Sequence, residues 1–115
     1  MHIECFKYVL YVVDMARAVQ FYQQAFGLQV QLETPHWSEV TRGDVILGLH
    51  AGAEAATRTT GVSLQVTDLD SALQEVVAAG GDIIAWPVSR PGEPIRLATI
   101  ADTEGNRLMM TQYVG

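Results

Sequence analysis

The sequence predicts an α+β domain of two tandem βαβββ units, and three observations predict it. Two segments with helical spacing of apolar residues each begin at an aspartate and stop at a glycine. Each is preceded by one strand-like run and followed by three more. Laying Asp14 on Asp68 superposes the two sets at a constant offset of 54 residues.

Residues 5–13 are mostly β-branched or aromatic, as in a strand buried on both faces. Asp14 then caps a helix whose apolar positions Met15, Ala18, Val19, Tyr22, Ala25 and Phe26 keep the 3.6 period, and Gly27 ends it where a left-handed residue is wanted. Residues 28–33, 36–41 and 44–50 alternate or run apolar at strand length, with Thr34-Pro35 and Arg42-Gly43 as turns. The Ala/Gly/Thr-rich stretch 51–60 is the one credible linker. Residues 62–67 form the next strand, and Asp68 caps a helix with Leu69, Ala72, Leu73, Val76 and Val77 on one face, closed by Gly80-Gly81. Strands over 82–88, 95–101 and 107–114 complete the second unit. Residues 1–115 thus read as a single domain, with one unit over about 1–52 and the other over about 60–115.

The repeat extends to side chains. Leu10 matches Leu64, Val12 matches Val66, and Ala18, Gln20, Ala25 and Gly27 match Ala72, Gln74, Ala79 and Gly81; with the caps that makes seven identities in the 21 positions from Lys7 to Gly27. Cap, core spacing and stop recur together.

Composition narrows the function. Thirteen acidic against seven basic residues give a net charge of −6, and the six arginines are scattered, so no basic stripe exists to release counterions from nucleic acid. No apolar run reaches the roughly 18 residues that cross a bilayer. The start lacks the basic region and cleavage site of a secretory signal, and Cys5 is the single cysteine, so the expected setting is a reducing cytoplasm, with no membrane partner. Lys7 is the only lysine. No Gly-rich phosphate loop follows a strand, and position suggests no Ser-His-Asp or Cys-His pairing.

The runs VLYVVDMARAVQFYQQAFGLQV, SLQVTDLDSALQEVVAAGG and ATIADTEGNRLMM resemble the vicinal oxygen chelate superfamily, which includes glyoxalase I, extradiol dioxygenases and the bleomycin- and fosfomycin-resistance proteins. The likeness covers nearly the whole chain. It implies a cupped mixed sheet with helices on the convex side, a ligand in the concave cup, and a homodimer made by pairing units across subunits.

In metal-dependent relatives, one inward-facing His, Gln or Glu from each of four strands holds a divalent ion. The corresponding positions here are Lys7, Gly48, Gly61 and Met109. An ammonium, two glycines and a thioether supply no oxygen or imidazole donors, so no metal site and no cofactor are expected. Met109 reads either as the place of a lost carboxylate or as ordinary strand filler. A slip of two residues would bring His50 to the position given to Gly48, and Glu39 with His50 could then seed an atypical site, although two ligands are too few.

With a two-residue turn at Arg42-Gly43, Trp37 opposes Gly48 and Glu39 opposes Ile46, which puts Trp37, Glu39, Gly48 and His50 on one face. Alternation adds Lys7, Val9 and Tyr11 from the first strand, and the resemblance makes this the concave face. The second unit contributes Gly61, Ser63 and Gln65, then Leu97 and Thr99, then Arg107, Met109 and Thr111. Tyr8, Leu10 and Val12 are expected under the helices. Lys7 reads as a fixed cation in the cup with Glu39 as partner, or as a rim ion pair with its stem on aromatic neighbours. The loop SRPGEP, after Trp86-Pro87, reads as a lid or as a plain connection stiffened by prolines.

The expected function is binding of a small organic ligand by a glyoxalase- or bleomycin-resistance-like protein that lacks the usual metal ligands. The alternative is an enzyme of this superfamily: a metal-dependent lyase, isomerase or dioxygenase with atypical ligands, or a metal-free catalyst using Lys7 or Glu39. A third possibility is a dimerising or regulatory module.

Overall fold

A computed structural model describes all of residues 1–115. The elements run β1 (Lys7–Tyr11), α1 (Met15–Phe26), β2 (Gln29–Glu33), β3 (Trp37–Arg42), β4 (Val45–His50), β5 (Arg58–Gln65), α2 (Leu69–Ala78), β6 (Asp82–Ser89), β7 (Ile95–Ala101) and β8 (Asn106–Tyr113). This is the βαβββ unit twice over. Each unit has its own four-stranded mixed sheet, ordered β1-β4-β3-β2 and β5-β8-β7-β6, with β1 parallel to β4, β5 parallel to β8, and the remaining pairs antiparallel. No strand pairing joins the two sheets. No helix is long and apolar enough to cross a membrane.

Both helices start as predicted, with the Asp14 and Asp68 carboxylates accepting from the backbone N–H three residues on, Arg17 and Ser71 respectively. Gly27 ends α1 in the left-handed region at φ 65°. The apolar faces of the two helices meet in one core of 18 buried residues, drawn from β1 (Leu10), α1 (Phe21, Tyr22), α2 (Leu69, Leu73, Val76) and β8 (Leu108, Met110), among others. One side of each sheet is therefore packed on helices. The other side stays largely open, with Val9, Tyr11 and Met109 all more than 40% exposed.

The structure departs from expectation at four places. β1 starts at Lys7 rather than residue 5, because its partner β4 starts only at Val45 and leaves Cys5 nothing to pair with. The β3–β4 turn is Gly43-Asp44, so Glu39 opposes Gly48 and Trp37 opposes His50, two residues from the predicted register. A shift of two preserves sidedness, and the predicted face survives. β5 starts at Arg58, not 62, because Arg58 and Thr59 already pair with Asn106 and Arg107. The register then breaks before Ser63, and Gly61, at φ 77°, sits in that bulge. Tyr8 is on the helix side as expected but is 55% exposed, at an edge the helices leave uncovered.

The two units are bolted together at one corner. Buried Glu104, in the β7–β8 turn, accepts from the backbone N–H groups of Val13 (3.0 Å) and Asp14 (2.8 Å) and from the Arg17 guanidinium (2.8 and 3.1 Å). Burial pushes its carboxyl upward, but the bonds from Arg17, Thr103, Asp14 and Val13 outweigh this and hold it below the usual range. Asp102 accepts from the Tyr22 hydroxyl at 2.6 Å and from both the backbone and the side chain of Asn106. Burial, then the Asp102 charge, push the Tyr22 phenol well up, so it stays a donor.

Candidate functional site

The open face of the first sheet is assembled around a missing side chain. Lys7 and Glu39 lie on strands two apart, with β4 between them; Lys7 stands level with Ile46 and Glu39 with Gly48, two positions on the same face of β4. The Trp37 indole lies across that glycine: a Cβ at residue 48 would fall among the Trp37 ring atoms. The indole Nε1–H donates to Glu39 Oε2 at 2.9 Å, and Lys7 Nζ donates to the same oxygen at 3.0 Å. Lys7 Nζ stands 6.0 Å from the centre of the indole. Thr34 anchors the start of β3, its hydroxyl accepting from Trp37 N (3.0 Å) and donating to Trp37 O (2.5 Å).

The electrostatics follow from this geometry. The Trp37 and Lys7 hydrogen bonds hold the Glu39 carboxyl below its usual range, while the hydrogen bond to Glu39 and its charge raise Lys7. Both groups are ionised at neutral pH. The pair is asymmetric in exposure, with the Lys7 side chain 43% accessible and that of Glu39 10%. Beyond it, Tyr11, His50 and Trp37 form a row of rings, with centroids 5.3 Å apart for Tyr11–His50 and 6.3 Å for Trp37–His50. His50 Nδ1 donates to the Ala51 carbonyl at 2.7 Å.

Lys7, Val9, Tyr11, Trp37, Glu39, Gly48 and His50 thus form one patch. The second sheet makes another from the rest: Ser63, Met109 and Thr99 stand abreast across three strands, and Gln65, Thr111 and Leu97 form the next row. Gly61 lies beside them in its bulge. No hydrogen bond, ion pair or ring contact joins the two patches. Three hollows of about 630, 500 and 460 Å³ lie away from these patches; of the patch residues, Gly61 and Ser63 border the second and Gln65 borders the first and second. Trp86 lines the third, beside α2, and Arg90 pairs with Glu93 in the following loop.

The four positions that the resemblance assigns to metal ligands do not fit a metal here. Lys7 is an ammonium already paired, the space above Gly48 is filled by Trp37, Gly61 has a backbone conformation that side chains rarely adopt, and Met109 offers a thioether. Glu39 and His50 do not join as a ligand pair, since Glu39 Oε2 serves Trp37 and Lys7 while His50 turns to Ala51. Sequence reasoning missed the part played by Glu104. The acidic glycine turn was visible, but nothing local showed that its carboxylate would be buried at another unit's helix start.

A family model for the glyoxalase/bleomycin resistance protein/dioxygenase superfamily matches residues 2–110. Among solved structures, a glyoxalase/bleomycin resistance protein/dioxygenase family enzyme from Burkholderia phytofirmans PsJN is 18% identical, with a TM-score of 0.78, covering 93% of this chain and 96% of its own. The bleomycin-binding protein of Streptomyces verticillus, complexed with copper(II)-bleomycin, is 21% identical with a TM-score of 0.72, covering 97% and 98%. A genomically encoded fosfomycin resistance protein from Listeria monocytogenes is 15% identical with a TM-score of 0.79, covering 97% and 94%. At these identities the structures share the fold. No curated protein matches the chain.

Proposed function

The chain belongs to the glyoxalase/bleomycin resistance protein/dioxygenase superfamily, and on that premise we propose that it is a metal-free binding protein that holds a planar, partly apolar small molecule against its open sheet faces. The observation that carries this reading is the Trp37 indole laid across Gly48, with a charged pair at its edge. An aromatic platform with a few fixed polar groups is the usual make-up of a small-molecule site. Binding of a small molecule without further chemistry, on the pattern of the bleomycin-binding protein, is the parallel we draw.

The same reading calls for a homodimer. Each sheet supplies half a lining, and its apolar members Val9, Tyr11 and Met109 are left in water by a single chain. A two-fold pairing that sets the first face of one copy beside the second face of the other would close two cups and cover those residues. Cytoplasmic residence suits the single cysteine. Catalysis by Lys7 or Glu39 is disfavoured by their charge states: a raised lysine and a lowered glutamate are both poor bases near neutral pH.

Sedimentation and metal analysis of the purified protein test this. The expected result is a dimer at micromolar concentration with less than a tenth of an equivalent, roughly, of Ni, Zn, Mn or Fe after exposure to each ion. Thermal-shift titration with planar aromatics should then raise the melting temperature, since a ligand at about 100 times its Kd adds about 2.7 kcal/mol. A stoichiometric transition ion would overturn the metal-free reading, and a monomer would overturn the shared cup.

A further inference from the structure

Resting on that reading, we propose that the ligand is an anion, namely a planar aromatic carboxylate whose ring stacks on Trp37 and whose carboxylate is taken by Lys7. The chain as a whole repels such a molecule, at a net charge of −6. The open faces do not.

Three observations carry the sign. Of the Lys7–Glu39 pair, the lysine is the accessible member, at 43% against 10%. Glu39 is only 10% accessible and its Oε2 already accepts from both Lys7 and Trp37, so it presents little free carboxylate to an incoming cation. An anion displaces nothing, because the ammonium has three N–H donors and gives only one of them to protein. The third observation lies on the other sheet. Arg107 alternates with inward Leu108 and so shares the open face of Met109 and Thr111; it has no acidic partner, and its Nε is buried without an acceptor. Strands β5, β7 and β8 contain no Asp or Glu, and the one acid of the sheet, Asp82, stands on the edge strand β6 with Ala101 between it and Arg107.

Geometry selects the carboxylate among anions. A carboxylate conjugated to a ring lies in the ring plane, so a ring stacked on the indole carries its oxygens outward at one level, toward an ammonium 6.0 Å from the indole centre. A tetrahedral dianion would need more donors than one ammonium provides. Glu39 acts as the positioning residue: its fixed oxygen holds Lys7 over the indole, 6.0 Å from its centre, rather than out in solvent.

The test is calorimetric titration with three probes of one shape: naphthalene-2-carboxylate, naphthalene-2-carboxamide and 2-naphthylmethylammonium. Wild type should bind the carboxylate about tenfold more tightly than the carboxamide, as a charge-assisted bond implies, and bind the ammonium most weakly. Lys7→Met should remove the preference while retaining carboxamide binding, and Lys7→Arg should restore it. Melting curves of both variants confirm that they fold. Equal affinity for carboxylate and carboxamide, or tightest binding of the ammonium, overturns the anionic assignment and leaves the binding reading standing. Failure of all three probes to bind removes the indole as a platform, and both readings with it.

Discussion

The two units of this protein share a scaffold and differ in what they build on it. Both start a helix with an aspartate cap and set four strands in the same order. The first has a two-residue turn between its third and fourth strands and gathers Lys7, Glu39, Trp37, Tyr11 and His50 on its open face. The second spends that turn on Asp102–Asn106, which locks to the first unit's helix start, and its open face carries neutral Ser63, Gln65, Thr99, Met109 and Thr111 around Arg107. The first unit thus carries the charged and aromatic patch, while the second carries the joint. The difference also says where substitutions should be felt as stability and where as binding.

The largest contrast is between the two turns. Glu104→Ala leaves two backbone N–H groups and a guanidinium without their acceptor and should cost about 3 kcal/mol. Asp44→Ala, in the corresponding exposed turn of the first unit, should stay within about 0.5 kcal/mol. Urea denaturation of both variants measures this; equal losses would erase the division of labour.

The same joint has a pH signature. The folded-state pKa of Glu104 is depressed, so its contribution is fully present above the ordinary glutamate value of about 4.3 and is lost as pH falls through the lower, folded value. Wild type should therefore lose stability steeply below about pH 4.3. Glu104→Gln, weaker at neutral pH, should show a shallower acid slope in melting temperature. An unchanged slope would move the acid sensitivity to another group.

A smaller effect separates the two open faces. Gly48→Ala must expel the indole and should cost about 1–3 kcal/mol, with a shift in Trp37 emission, best read in a Trp86→Phe background. Met109→Ala, at a position 42% exposed on the second face, should cost less than about 1 kcal/mol. If Gly48→Ala is silent in both stability and fluorescence, the indole does not rest where this account needs it. Smallest of all, Lys7→Met should lower the melting temperature only slightly, because Lys7 is half-exposed and Glu39 keeps its hydrogen bond from Trp37.

Much of this was legible in sequence, for reasons that can be located. Helix starts came from side chains that bond within three residues of themselves, and Asp14 and Asp68 do so. Face assignment came from alternation, which survives a register shift of two; the misplaced turn at Arg42-Gly43 therefore still put Trp37 and Glu39 on the right face, although each stands opposite a residue two places from the one expected. What failed depended on distant partners. Residue 5 is strand-like but has no facing strand, Arg58 is loop-like but finds Asn106, and Tyr8 has the right parity but no helix above it.

By itself, then, the sequence determined the repeated unit, its caps and its two faces, because each is written in local spacing and residue type. Only the tertiary structure decided that Trp37 fills the space above Gly48, that Gly61 sits in a bulge, and that Glu104 is buried beneath the neighbouring helix start. Those outcomes depend on which chain segments meet across many residues, and on whether a charge brought there finds enough donors to remain ionised.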